Sequence, residues 1–309
     1  MKKNKIISII IPCFNEEEAI EKTFKKISNV IKQFNFNDIV FDFIFVDDGS
    51  SDNTVEIIQS FPKQHVKLIR LSRNFGHQAA VKAGIDCCQS DAAVIIDADL
   101  QDPPELIKKM VEKYRNGYDV VYAVRQSRQG EGLFKKVSAY CFYRILNLLS
   151  DFTIPQDVGD YRLISKRVIK QLQESSEHEP YLRGMVAWIG FRQTGISYTR
   201  DKRIAGDTKY PLKKMLALAL SGITSFSVKP LKIVIFLGFI TMLGAMTTLF
   251  YILYIRLFTS TWVLGWTAVM FAILFIGSIQ LLAIGIIGEY ISKIHFQVKK
   301  RPNYIKFDD

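Results

Sequence analysis

Two long stretches near the C-terminus carry no charge, and they constrain what the rest of the chain can be. Ile233 to Ile255 is a run of 23 residues without Asp, Glu, Lys or Arg. As a helix it would be roughly 34 Å long, more than the roughly 30 Å hydrocarbon core of a bilayer. A second uncharged run extends from Leu257 to Gly288, with its apolar body at Val263–Ile287. Only a short segment around Phe258–Trp262 separates the two, so a helical hairpin is expected. A pair of buried core helices is the alternative, and length and absence of charge disfavour it. Lys229 and Lys232 precede the first run, and Lys293, Lys299, Lys300 and Arg301 follow the second, while the connection holds only Arg256 at its edge. The positive-inside rule then places both ends, and the large N-terminal domain, in the cytoplasm.

The net charge of +11 sits beside these runs. Residues 1–199 hold 27 basic and 25 acidic residues, whereas residues 200–232 hold eight basic and two acidic. That placement suits anionic head groups or a lipid phosphate, at about 1 kcal/mol per basic residue near the surface. A nucleic-acid reader would spread basic and aromatic residues over its folded domain, so no nucleic-acid partner is expected. Tyr210–Ser225 repeats Leu212, Met215, Leu216, Ala219, Leu220 and Ile223 near helical spacing, behind Lys213 and Lys214. It reads as an amphipathic helix in the membrane interface, or as a core helix of the soluble domain. Gly132–Leu149 is a second interfacial candidate. Cys13, Cys87, Cys88 and Cys141 form neither a zinc pattern nor a redox pair, which fits a reducing compartment.

The first 125 residues alternate short β-rich runs with helical stretches. Strands are expected at Ile6–Ile11, Phe41–Val46, Val66–Leu71, Ala92–Ile96 and Val120–Ala123. Helices are expected near Glu16–Phe34, Asp52–Phe61, Gln78–Cys87 and Pro104–Asn116. Such alternation implies an α/β domain, a mostly parallel Rossmann-like sheet with helices on both faces. Ligands of such sheets bind beyond the carboxyl ends of the strands. No G-x-G-x-x-G follows the first strand, so a dinucleotide site is disfavoured.

Acidic residues gather at those ends. Strand one runs into Pro12-Cys13-Phe14-Asn15-Glu16, strand two ends in Asp47-Asp48-Gly49-Ser50, and strand four ends in Asp97-Ala98-Asp99. Two carboxylates about 5 Å apart repel by about 3 kcal/mol at an effective dielectric near 20. A divalent cation removes that penalty and leaves sites for diphosphate oxygens, and oxygen ligands suit Mg²⁺ or Mn²⁺. The bland reading is a solvated turn with Asp102 capping the following helix. Asp47–Asp52 reads equally as a turn, with Ser51 or Asp52 capping a helix, or as a contact to a nucleoside.

These residues resemble glycosyltransferase family 2, specifically its polyprenyl-phosphate glycosyltransferases. That group includes dolichyl-phosphate mannose synthases and bacterial undecaprenyl-phosphate glucosyltransferases. The matching stretches are Ile10–Glu16, Val46–Asp52, Arg73-Asn74-Phe75-Gly76, Asp97–Pro104, Asp157–Leu163 and Arg203–Tyr210. The two-span tail resembles the bacterial branch. The resemblance implies a GT-A type catalytic domain at 1–209, an interfacial helix at 210–230, a transmembrane hairpin at 231–290 and a cytoplasmic basic tail at 291–309. It implies a multi-pass protein of the cell's inner membrane, with membrane lipids as partners and a homo-oligomer left open.

The resemblance further implies that Pro12, Phe14, Glu16, Val46 and Asp48 contact the nucleoside of a nucleotide-sugar donor. Asp97 and Asp99, about Ala98, would hold the metal, with Gln101 close by. Arg125, Arg203 and Lys209 would surround the phosphates of donor and polyprenyl phosphate acceptor. Asp157 and Asp160 stand open as a base or a sugar-hydroxyl ligand, and Asp160 as a simple partner of Arg162. The implied reaction is inverting transfer of a hexose, glucose from UDP-glucose foremost, for later modification of a cell-envelope glycan. GDP-mannose or an amino-sugar donor is the alternative within enzymes, and a non-catalytic membrane scaffold the alternative of another class. The Q-x-x-R-W signature of processive members is absent, the nearest text being Ile189-Gly190-Phe191-Arg192-Gln193.

Overall fold

The computed structural model describes residues 4–125, 158–175, 177, 181–198, 227–258 and 265–307. The proposed interfacial helices at Gly132–Leu149 and Tyr210–Ser225 lie outside the described residues, as do Asp157, Arg203 and Lys209. The described chain forms two compact units. One comprises the described residues up to 198 together with 300–307, and the other residues 227–299.

The first unit is built on a sheet of seven strands: β1 (Lys5–Cys13), β2 (Ile39–Asp47), β3 (Val66–Arg70), β4 (Ala92–Ile95), β5 (Val120–Arg125), β6 (Val158–Ser165) and β7 (Gln193–Tyr198). Their order is β3-β2-β1-β4-β6-β5-β7. β1 pairs in parallel with β2 and β4, β2 with β3, and β5 with β7, while β6 runs antiparallel between β4 and β5. The expected mostly parallel α/β sheet is therefore present, with β6 as an antiparallel strand within it. β1 explains itself: from Ile7 to Cys13 every residue is buried, as a central strand covered on both faces requires.

Among the described residues six helices cover the sheet: α1 (Ile20–Lys32), α2 (Thr54–Gln59), α3 (His77–Asp86), α4 (Leu106–Arg115), α5 (Lys166–Glu174) and α6 (Leu182–Ile189). On one face Ile7, Ile9 and Ile11 of β1 join Ile20 and Ile27 of α1, Ile58 of α2 and Met110 of α4 in a single core. Phe24 stacks on Phe61 with ring centroids 4.2 Å apart and meets Phe43 edge-on at 5.1 Å. On the opposite face α3 lies so close to the sheet that a Cβ at Gly84 would fall 2.4 Å from Ile10 Cγ2 and 3.1 Å from Val46 Cγ2. β6, β7, α5 and α6 carry the fold past the alternating segment and set an antiparallel strand into its middle.

The second unit holds α7 (Lys229–Phe258) and α8 (Trp266–Val298). Each contains a stretch of 27 residues, Lys229–Ile255 and Ala272–Val298, long and apolar enough to cross a membrane, with mean hydropathy 2.2 and 2.0. Within this unit Tyr290 Oη donates to the Ser227 carbonyl at 2.6 Å.

Candidate active site

Because β1, β2 and β4 run parallel, their carboxyl ends meet at one edge, and the segments after them enclose a cavity of about 320 Å³. Pro12, Phe14, Glu16, Asp48, Asp97, Ala98 and Asp99 all line it. Seven of the residues singled out from the sequence are thus brought together. Val46 is fully buried below, packed toward Gly84, and its carbonyl accepts from Cys13 Sγ at 3.3 Å. Gln101 lines an adjoining cavity of about 580 Å³ that shares Glu16 and Asp99. Arg125 is the last residue of β5, with its backbone opposite Tyr198.

The walls are held by polar side chains at the loops. The turn after β1 is tied to the turn after β2: Asn15 N–H donates to Ser50 Oγ at 2.9 Å, Glu16 N–H to Thr54 Oγ1 at 2.8 Å, and Ser51 N–H to Asn15 Oδ1 at 2.9 Å. Asp52 accepts from Thr54 N–H at 3.1 Å, the side-chain turn that was expected, whereas the N-cap of α2 is Asn53, with no side-chain cap hydrogen bond. Asp48 does something else. Its two oxygens accept from Phe75 N–H at 2.8 Å and Gly76 N–H at 2.9 Å, fixing the Arg73–Gly76 loop on the cavity rim. Gly49 permits this approach, because at φ +74° a Cβ there would lie 2.6 Å from the Arg73 carbonyl carbon.

The Asp97–Asp99 segment is fixed from below by Thr23, whose hydroxyl donates to the Ala98 carbonyl at 2.6 Å. Leu100 then adopts a left-handed φ of 55°, a strained state for a side-chain-bearing residue, and Gln101 N–H returns to Asp99 Oδ1 at 3.1 Å. Asp102 does not cap the following helix as the bland reading has it. It is buried and accepts from Tyr198 Oη, while Tyr161 Oη donates to the Pro103 carbonyl at 3.0 Å. A turn locked by buried tyrosines from β6 and β7 is not a solvated acidic turn.

The electrostatics are those of crowded carboxylates. Burial raises the Asp97 carboxyl to about 6, against the opposing pull of His77 and with help from Asp160, Asp102 and Asp99. Burial and the charges of Asp99, Asp52 and Asp97 raise Glu16 to about 7. Asp97 Oδ1 is a buried oxygen without a hydrogen-bond partner. Among the described residues no group of three or more His, Cys, Asp or Glu is arranged to hold a metal ion. Asp97 and Asp99 are the described residues whose carboxylate oxygens could serve a hard cation.

His77, at the first turn of α3, went unread in the sequence. Its Nε2 lies 3.6 Å from Asp97 Oδ1 and 3.4 Å from Asp160 Oδ2. Partial desolvation works against its proton, but the Asp160 hydrogen bond and the Asp97 charge prevail and raise its pKa. Its position directly after Arg73-Asn74-Phe75-Gly76 was the available signal. Asp160 is buried, and its stronger partner is Arg183 rather than Arg162, which stands 3.8 Å away. Burial works to raise the Asp160 carboxyl, yet Arg183 and His77 hold it well below the usual range, which makes it a poor proton acceptor.

The chain's likeness to known proteins agrees with this geometry. Residues 8–173 match the model of glycosyl transferase family 2. The uncharacterized glycosyltransferase YkcC of Bacillus subtilis (strain 168) is 47% identical over 300 residues, covering 96% of this chain and 92% of the relative. The prophage bactoprenol glucosyl transferase homolog of Escherichia coli (strain K12) is 37% identical over 301 residues, 97% of each chain. The bactoprenol glucosyl transferase of Shigella phage SfII is 37% identical over 303 residues, 97% of this chain and 96% of its own. A family match over more than half the chain, with relatives aligned along nearly all of it, joins an α/β sheet whose strand ends gather acidic residues in one cavity: the chain belongs to glycosyl transferase family 2 and is a glycosyltransferase.

Proposed function

We propose that this enzyme transfers a hexose, glucose from UDP-glucose foremost, to the phosphate of a polyprenyl (undecaprenyl) carrier at the cytoplasmic face of the inner membrane, for later modification of a cell-envelope glycan. One observation carries the reading: three strand ends bring Phe14, Glu16, Asp48, Asp97 and Asp99 to a single cavity. The relatives named bactoprenol glucosyl transferase, matched along nearly the whole chain, support the acceptor and the sugar. The two apolar helices supply an anchor beside a lipid acceptor. Chain from both sides of this hairpin folds into one unit, which supports placing both its ends on one side of the membrane.

In this reading Phe14 and Asp48 border the nucleoside, Asp48 acting also by holding the Arg73–Gly76 loop. An oxygen of the acceptor phosphate attacks the anomeric carbon in line. The bond from that carbon to the donor diphosphate breaks, the nucleoside diphosphate departs with the electron pair, and the configuration inverts. The acceptor phosphate is already an anion at neutral pH, so no side chain need remove a proton from it. Arg125, Arg203 and Lys209 are assigned to its positioning by charge-assisted hydrogen bonds. Asp97 and Asp99 are the residues that would hold Mg²⁺ or Mn²⁺, and Asp97 Oδ1, buried without a hydrogen bond, fits them for it. When bound, such an ion acts as a Lewis acid toward the charge that builds on the leaving diphosphate.

The test offers purified full-length protein undecaprenyl phosphate, Mn²⁺ and a panel of UDP- and GDP-sugars, and identifies the lipid product by mass. A hexosyl undecaprenyl phosphate from UDP-glucose is expected. Transfer only from GDP-mannose or a UDP-amino sugar would replace the donor, and no glycolipid from any of them would overturn the reading.

A further inference from the structure

The chain does not end at its second apolar helix. Residues 300–307 belong to the first unit, and Ile305–Phe307 run beside Arg70–Ser72, the end of the terminal strand β3 and the two residues after it. Lys306 pairs antiparallel with Leu71, Ser72 N–H donates to the Ile305 carbonyl at 2.8 Å, and Phe307 N–H donates to the Arg70 carbonyl at 2.8 Å. The Arg70 guanidinium sits over the Phe307 ring at 4.5 Å, and its buried Nε has no hydrogen-bond partner. Tyr304 Oη donates to Asp86 Oδ2 at 3.0 Å, at the end of α3.

What the tail grips is one step from the cavity. Ser72 is two residues before Asn74, which lines the cavity together with Gly76 and His77. The loop between them is fastened at one end by Asp48, through Phe75 and Gly76. At the other end the segment leading into it is fastened to β2, by Leu71 N–H on the Asp47 carbonyl at 2.8 Å, and to the tail, by Ser72. α3, whose first residue is His77, has Tyr304 at its last. From this geometry we infer that Arg301–Phe307 is a positioning segment of the donor site, holding the Arg73–His77 loop in the shape that receives the nucleoside diphosphate. The inference rests on the reading of that cavity as the donor site. Covering an exposed strand edge is the other service such a segment performs, and it would leave donor binding untouched.

The experiment compares the full-length chain with one stopped after Lys300 and with Phe307→Pro, which removes one edge hydrogen bond and the ring beneath the Arg70 guanidinium. The readouts are UDP binding by calorimetry with Mn²⁺, donor KM and kcat with UDP-glucose and undecaprenyl phosphate, and thermal melting. The stopped chain should bind UDP about tenfold more weakly and show a similar rise in donor KM, with kcat within about twofold. A synthetic peptide of residues 301–309 added in trans should restore binding. Phe307→Pro should move in the same direction by a smaller factor, and it reads the inference if the stopped chain does not fold. UDP affinity and donor KM unchanged in these variants, whatever happens to melting, would overturn the inference while leaving the transferase reading intact. A full-length chain that binds neither UDP nor GDP and transfers nothing would overturn both.

Discussion

Arg183 holds Asp160 through two hydrogen bonds of 2.9 Å, Nε to Oδ1 and Nη2 to Oδ2. The pair joins the first turn of α6 to β6, and Asp160 in turn lies 3.4 Å from His77, which lines the cavity. Removing the arginine leaves a buried carboxylate short of its main counter-charge, a loss partly softened because Arg183 is about one-third exposed. Arg183→Ala should destabilise the first unit by about 2–3 kcal/mol and lower its melting temperature by about 5–10 °C. The Asp160 pKa is depressed, so the pair's contribution is complete above about pH 4 and is lost as pH falls through the folded pKa. The melting difference between variant and parent should therefore shrink in acid.

The opposite pH dependence is expected from Asp97 and Glu16. Their folded pKa values, about 6 and about 7, lie above the roughly 4 of an unfolded carboxyl. Ionising them costs the fold stability, a cost absent below about pH 4 and complete once the pH has risen past the folded values. Metal-free protein should melt progressively lower between pH 5 and 8. Mn²⁺ should raise the melting temperature more at pH 8 than at pH 5, and Glu16→Gln should flatten the metal-free profile. A metal-free profile that rises over this range would refute the crowding argument.

Asp99→Asn keeps the size of the side chain and its acceptor oxygen for Gln101 N–H, but removes a charge from the cavity. Transfer should fall by at least about a hundredfold in kcat while the protein still folds and partitions into membranes. Full activity in this variant would remove Asp99 from the metal assignment.

Gly49 is the tightest backbone contact of the site. Gly49→Ala combines a left-handed φ with a Cβ 2.6 Å from the Arg73 backbone, and should cost about 2 kcal/mol or more. Because the strain falls on the loop that Asp48 holds, UDP affinity should drop beyond what the melting temperature alone explains. Gly117→Ala, also at positive φ but with only the end of the Arg192 side chain nearby, serves as the control.

The sheet and much of its site were legible because the relevant signals are local. Ile7 to Ile11 can only be a central strand, and Asp48, Asp97 and Asp99 are read from the sequence because parallel strands deliver their ends to one place. Boundaries moved by a few residues, as at α1, which begins at Ile20 after a turn over Glu16–Ala19. What stayed hidden depends on contacts between distant segments. His77 looks like an ordinary first-turn residue until Asp160, 83 positions later, is placed beside it. The burial of Asp102 needs Tyr198 from β7, and no motif announces that hydroxyl. Residues 303–307 fall within the basic tail expected at 291–309, since their partners at Arg70–Ser72 are more than two hundred residues away.

That last distance has a consequence for how the molecule is made. Ribosomes deliver β3 early and Tyr304–Phe307 only after α7 and α8 have been synthesised. The backbone at Arg70–Ser72 therefore waits without its partner while the two apolar helices are synthesised. Completion of the first unit is deferred until both apolar helices have been made; under the proposed anchoring, the order of translation would tie the finished enzyme to the bilayer.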